Sequence, residues 1–307
     1  MSAYHEPVLC VEALGFLLTE RNGTYVDGTV GGGGHAEQIC RWLGPQGRLI
    51  GCDADADAIA EAEERLASFG ARASLLRGNF RDLPAALAAR GIGRVHGVLL
   101  DLGVSSYQLD AEGKGFSFRG DERLDMRMDT RQTLSAWDVV NAYSRERLAE
   151  LLRDFGEERD AKRIARAIEA RRPVNTTAEL SAIVEGCVGG RFLTKSLARV
   201  FQAIRIDVNG ELESLGRLLE EIPGLLLPGG RCAVISYHSL EDRIVKDFFR
   251  REAAAAIRSG HKYAPDTPRN PRLEILTRHP VTAGDEECAR NGRARSAKLR
   301  AAARTAV

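Results

Sequence analysis

No stretch of the 307-residue chain approaches the roughly 20 consecutive apolar residues that a membrane-spanning helix requires. Its opening, Met1-Ser2-Ala3-Tyr4-His5-Glu6-Pro7, lacks the basic n-region and apolar stretch of a secretory leader, so a cytoplasmic protein is expected. Cysteine is scarce and scattered, with six residues at 10, 40, 52, 187, 232 and 288 and no Cys-x-x-Cys pair. That pattern points to reduced, buried thiols rather than a disulfide frame or a zinc site, and no metal is expected. Also missing are Gly-x-Ser-x-Gly, a Gly-Lys-Ser/Thr phosphate loop and His-Glu-x-x-His. Their absence removes three common hydrolase and nucleotide-binding signatures. Lysine, finally, is rare: 38 of the 44 basic residues are arginine, which forks onto phosphates and stacks on bases.

What is present suffices for a large core. Hydrophobic residues make up 44% and charged residues 28%, and the length suits two domains or one large one. The net charge of +1 conceals an uneven distribution. Residues 1–110 carry 9 basic against 14 acidic side chains, whereas residues 243–307 carry 15 against 7. An acidic front and a basic tail suit a protein that meets a polyanion with one end.

The first hundred residues alternate short apolar runs with helical patterns. Strands are expected at 24–27, 48–53, 73–76 and 95–102, with helices at 35–42, 56–68 and 83–90 between them. Such alternation implies right-handed βαβ units and a doubly wound sheet. It breaks after Asp101. Residues 135–208 read as several helices, including 144–155 and 160–171. Alternation resumes with a helix at 211–221, a Pro228-Gly229-Gly230 turn, a strand at 232–237, a helix at 240–250, and strands at 273–277 and 297–299. The expected organisation is an α/β domain in two parts, 1–105 and 210–307, around a mainly helical insertion at 106–209.

Asp27-Gly28-Thr29-Val30-Gly31-Gly32-Gly33-Gly34-His35 falls between the first strand and the first helix of that pattern. Ligands of open α/β sheets bind beyond the carboxyl ends of the strands, where glycines let the backbone approach them. Gly31-x-Gly33-x-x-Ala36, with Asp53 about 20 residues on, also satisfies a dinucleotide fingerprint, so a nicotinamide dehydrogenase competes. Asp27 argues the other way. A carboxylate beside the ligand opposes a pyrophosphate and favours a cation such as S-adenosylmethionine. Asp53 is placed for ribose hydroxyls, Phe80 for an adenine, and Asp101 for the methyl-bearing end of the cofactor.

With these residues placed, the chain resembles the ribosomal RNA small subunit methyltransferase H family over nearly its whole length. The motifs include His5-x-Pro7-Val8-Leu9, the glycine loop above, Asp101-Leu102-Gly103-Val104-Ser105-Ser106 and Gln108-Leu109-Asp110. Gly115-Phe116-Ser117-Phe118, Leu124-Asp125-Met126-Arg127-Met128 and Gly156-Glu157-Glu158-Arg159 follow. Phe201-Gln202-Ala203-Ile204-Arg205-Ile206, Val208-Asn209, Ser239-Leu240-Glu241-Asp242-Arg243 and Arg293-Ala294-Arg295-Ser296 complete the set. Tyr107 stands where the family usually has Pro, and Asp160 where an apolar residue is common; neither departure removes a chemical group.

The resemblance implies a Rossmann-like methyltransferase sheet interrupted by a helical domain. It also implies S-adenosylmethionine-dependent N4-methylation of one cytidine of small-subunit (16S) ribosomal RNA, in the decoding centre. Matched position by position, the cofactor contacts it implies are Gly33, Gly34, His35, Asp53, Phe80, Asp101 and Gln108. An exocyclic cytosine amine is a poor nucleophile because its lone pair is delocalised into the ring. Asp101 is expected to accept its N–H as the nitrogen becomes tetrahedral, with plain cofactor contact as the rival role. The base must leave any stack, and Tyr237 or His238 is expected beside it. Arg159, Lys162, Arg163 and Arg166 are expected on one helix face, which with Arg171, Arg172 and the segment 243–304 would grip phosphates.

Overall fold

The computed structural model describes residues 7–105, 108, 113–257, 259 and 266–306. They form two compact units, one of residues 1–103 and 212–307, the other of residues 104–211. Among the described residues no helix is long and apolar enough to cross a membrane. The six cysteines are free, four of them buried, and burial pushes the thiols of Cys40, Cys52 and Cys232 up to about 12.

The first unit is mixed α/β. Its early elements are α1 (Cys10–Leu17), β1 (Thr24–Asp27), α2 (Gly34–Trp42), β2 (Arg48–Asp53), α3 (Ala56–Leu66), β3 (Ala73–Arg77), α4 (Leu83–Ala88) and β4 (Val95–Asp101). The seven-stranded sheet has the order β3-β2-β1-β4-β5-β9-β8, where β5 is Leu226–Ser236, β8 Leu273–Ile275 and β9 Lys298–Arg304, while β6 (Ala256–Ile257) and β7 (Thr267–Pro268) pair in a separate two-stranded sheet. The first five strands in that order run parallel, β9 runs antiparallel to β5, and β8 runs antiparallel to β9. The chain steps outward from β1 to β3 and then returns to pair β4 with β1. The strand ends diverge at that switch point, which is where open α/β sheets place ligands.

Central strands are apolar on both faces because both faces are covered. Val26, Ile50, Val98, Leu100 and Val234 pack with Leu83 and Leu87 of α4. Tyr25, Leu49, Leu99 and Ile235 pack oppositely, with Leu17 of α1 and Ile39 of α2. The alternation of Val98, Leu99 and Leu100 between faces is the period of two of a strand. The expected turn at Pro228-Gly229-Gly230 lies instead inside β5. Leu226 pairs with Val95 and Arg231 with Gly97, so residues 227–230 bulge out of register. A bulge accommodates proline and glycine residues without ending the strand.

The second unit is helical: α5 (Ala136–Ala142), α6 (Arg145–Asp154), α7 (Ala161–Arg171), α8 (Thr177–Glu185) and α9 (Leu193–Asn209), with α10 (Glu211–Leu225) leading back to β5. Ser135 and Thr176 begin α5 and α8 with reciprocal capping boxes. The core includes Val139, Leu151, Ile164, Leu180, Val200 and Ile204. Several family motifs serve this architecture. Asn209 accepts from Met128 N at 2.8 Å and donates to Met126 O at 2.8 Å, pinning the 126–128 loop to the end of α9. Arg205 grips Glu211 with two hydrogen bonds of 2.8 Å, and Gln202 donates to Phe155 O at 3.1 Å.

Candidate active site

The carboxyl ends of β1, β2 and β4 each carry an aspartate. Asp27 is 1% exposed; its Oδ1 accepts from Thr29 N at 3.2 Å, and its buried Oδ2 has no hydrogen-bond partner among the described residues. Burial, with the negative charges of Asp101 and Asp53 nearby, raises its pKa to about 8, against the lowering effect of the Thr29 amide. Asp53 Oδ2 accepts from Gly31 N at 2.9 Å, and Oδ1 from Asp55 N at 2.9 Å. Burial lifts Asp53 to about 6 although these amides favour its charge. Asp53 therefore also braces the glycine loop, and its remaining lone pairs can accept from ribose hydroxyls.

The loop after β1 is stitched across the sheet. Gly28 N donates to Leu99 O at 2.9 Å, Val30 N to Cys52 O at 2.9 Å, and Asp101 N to Thr29 Oγ1 at 2.6 Å. Glycine is required at Gly33, which begins α2 with φ of 84°, and at Gly28, where a Cβ would stand 2.6 Å from Leu100 Cδ2. That same Cβ would lie 3.5 Å from Phe80 Cβ, so Phe80 borders the glycine loop as it packs half-buried on the core. Gly34 and His35 form the first turn of α2. His35 Nε2 lies 3.0 Å from Val8 O, and its Nδ1 faces Asp101 Oδ2 at 3.7 Å. Because a carbonyl only accepts, Nε2 carries a hydrogen.

Asp101 is the meeting point. Its Oδ1 accepts from the Tyr237 hydroxyl at 2.8 Å. Tyr237 follows β5, which lies beside β4. Of the residues anticipated from sequence, Gly33, Gly34, His35, Asp53, Phe80 and Asp101 belong to the α/β unit and surround these strand ends. Gln108 belongs to the helical unit, where it exchanges hydrogen bonds with Ser105 at 3.0 and 3.1 Å. Tyr107 lies outside the described residues. Sequence reasoning missed Thr29 and Arg293. Both stand in family motifs, but the sequence reading gives Thr29 no role and Arg293 only a share in the phosphate-gripping segment 243–304.

Four expectations need correction. His238 starts α11 (Ser239–Ala253) as its cap, accepting from Glu241 N at 3.4 Å with Nε2 3.1 Å from Glu241 Oε1, so it serves the helix end. Arg159 precedes α7 rather than joining its face. Arg172 donates to Val140 O at 2.8 Å and Tyr143 O at 2.6 Å, closing the carbonyl end of α5. The basic tail is partly committed to ion pairs: Arg251, Arg269 and Arg272 surround the buried Glu252, and Arg300 pairs with Asp242 at 2.6 Å.

Comparison with known proteins adds the following. The family model of the MraW methylases matches residues 2–305. The ribosomal RNA small subunit methyltransferase H of Syntrophotalea carbinolica is 49% identical, covering 97% of this chain and 96% of that protein. The enzyme of the same name from Syntrophus aciditrophicus is 46% identical and covers 98% of each. Among solved structures, an rRNA methylase from Streptococcus thermophilus covers 99% of both chains at a TM-score of 0.43 and 10% identity.

Proposed function

The chain belongs to the MraW methylase family, and from that premise we propose that it transfers the methyl group of S-adenosylmethionine to the N4 amine of one cytidine of small-subunit ribosomal RNA. The observation that carries the cofactor assignment is the buried, unpartnered Oδ2 of Asp27 within a cluster of three strand-end acids. Such a cluster repels a pyrophosphate and is completed by a ligand bearing an amino group and a sulfonium. Family membership and this charge together remove the dehydrogenase alternative. Asp27 would face the cationic end, Asp53 the ribose, Phe80 the adenine, and Gly33, Gly34 and His35 the close side of the loop, with Gln108 as a further contact. When bound, the cofactor supplies an electrophilic methyl carbon.

The protein's own task is to make a delocalised amine attack. Asp101 accepts an N–H of that amine, which lets nitrogen build up its lone pair and takes up the developing positive charge. The target cytidine comes from an unstacked or single-stranded segment of the rRNA in the small subunit, and exposed arginines hold phosphates around it. The test is transfer of labelled methyl to small subunits from cells lacking the protein, followed by nucleoside analysis. Label in N4-methylcytidine supports the reading. Label in another nucleoside, or none, overturns it.

A further inference from the structure

Asp101 ends in an sp³–sp² torsion, the kind with a broad, shallow energy profile, so a carboxylate alone at a strand end does not keep one orientation. Two side chains fix this one. The Tyr237 hydroxyl reaches Oδ1 at 2.8 Å, across 136 positions of sequence. Because a carboxylate only accepts, the phenol is the donor. Burial and then the nearby Asp101 charge push Tyr237 well above the ordinary tyrosine range, against the opposing effect of Arg293, so the phenol keeps its hydrogen.

Tyr237 is itself held. Its backbone N–H donates to Glu241 Oε2 at 2.9 Å, within the box that begins α11. Arg293 lies over the ring with its guanidinium carbon 5.4 Å from the centroid, a cation–π contact. The turn that presents Arg293 is anchored by Ala294 and Ala297, each 1% exposed, and by Asn291 Oδ1, which accepts Arg293 N at 3.2 Å. The segment 293–296 thus reaches the chemistry through a stacked arginine. His35 Nδ1 stands 3.7 Å from Oδ2, beyond hydrogen-bond length, so lone pairs on that oxygen remain to accept from an incoming group.

We propose that Tyr237 and Arg293 are positioning residues for Asp101: the phenol sets the orientation of the carboxylate, and the guanidinium sets the phenol. This rests on the reading of Asp101 as the acceptor of the amine N–H. The test is a mutant cycle of Tyr237→Phe and Asp101→Ala, with kcat measured by methyl transfer and the dissociation constant of S-adenosylhomocysteine by calorimetry. Tyr237→Phe removes one oxygen and keeps the ring, the stack and the packing. Loss of a hydrogen bond to a charged group predicts a fall in kcat of about tenfold to a hundredfold, with cofactor affinity changed less than about twofold. In the Asp101→Ala background the same substitution should change kcat no further, because its effect passes through the carboxylate. Arg293→Ala should lower kcat by about threefold to tenfold in the same direction. A wild-type kcat in Tyr237→Phe overturns the proposal, as do losses that multiply in the double variant. If Asp101→Ala keeps full turnover while Tyr237→Phe loses it, the acceptor reading has failed and positioning through Asp101 falls with it. A wild-type protein that methylates no RNA defeats the functional reading first.

Discussion

Asp53 in the α/β unit and Asp125 in the helical unit make the same local turn. Each accepts the backbone N–H two residues ahead, from Asp55 at 2.9 Å and from Arg127 at 3.1 Å. Their electrostatic fates are opposite. At Asp53 burial outweighs the amides and lifts the pKa to about 6. At Asp125 burial is outweighed by Arg127, whose guanidinium donates twice at 2.7 Å, and the carboxyl drops below its ordinary value. The half-buried Asp125 has its cation two residues along the chain. At the strand ends of the α/β unit, among the described residues, no arginine pairs with Asp27, Asp53 or Asp101. Unpaired acids whose pKa is raised, as at Asp27 and Asp53, mark a ligand site, and paired ones mark architecture.

Asp101→Ala is the strongest way to test that division. It should lower kcat by about a hundredfold or more, the scale for losing acid–base assistance, while the affinity for S-adenosylhomocysteine falls much less. Equal losses in both would make Asp101 a cofactor contact only. Asp53→Ala should act on affinity instead, by roughly 1.5–3 kcal/mol for a hydrogen bond to a charged group. Because Asp53 also holds Gly31 N, calorimetry should show the loss for cofactor and product alike. An unchanged dissociation constant would remove Asp53 from the ribose.

The same logic runs in reverse in the helical unit. Asn209→Ala deletes two hydrogen bonds to the 126–128 loop and leaves Met126 O and Met128 N short of partners. A destabilisation of about 1–3 kcal/mol follows, read as a lower denaturant midpoint, with cofactor affinity unchanged. A variant of wild-type stability that binds cofactor poorly would mean that the motif serves the site and not the fold.

Asp27 sharpens the comparison through pH. Its folded pKa of about 8 lies above the ordinary value of 3.8, so the folded protein keeps a proton that the unfolded chain has released. The stabilisation is full below about pH 4 and is lost as pH rises toward 8. Asp27→Asn should flatten that decline in ligand-free protein. A cationic ligand favours the ionised form, so binding near neutral pH should release a proton, detectable as buffer-dependent heat in calorimetry. The release should vanish in Asp27→Asn; if it persists, another group carries the proton.

The strand ends were legible because strand–helix alternation with short links fixes which residues terminate parallel strands, and Asp27, Asp53 and Asp101 are polar breaks after apolar runs. What escaped is long-range or conditional. The bulge in β5 depends on pairing with β4. The Tyr237–Asp101 bond joins residues 136 apart. Arg172 reads as one more surface cation until α5 presents two open carbonyls to it. Arginine count therefore overstated the surface available to RNA, since local sequence does not say which guanidiniums fold inward.

The smallest expected effect concerns the arginines that stay outside. Lys162, Arg163 and Arg166 are exposed on α7, and among the described residues only Arg163 has an ion-pair partner, Asp160 at 3.5 Å. An exposed pair of that kind is worth little and yields readily to a phosphate. Reversing Arg163 and Arg166 to Glu should weaken RNA binding and flatten its salt dependence. Each lost phosphate contact should reduce the log–log slope by about 0.7 for single-stranded RNA. Cofactor affinity should stay constant, because neither residue is among those proposed to contact the cofactor. Titrations at several salt concentrations separate the alternatives. A slope that survives the double reversal makes this face solvated surface.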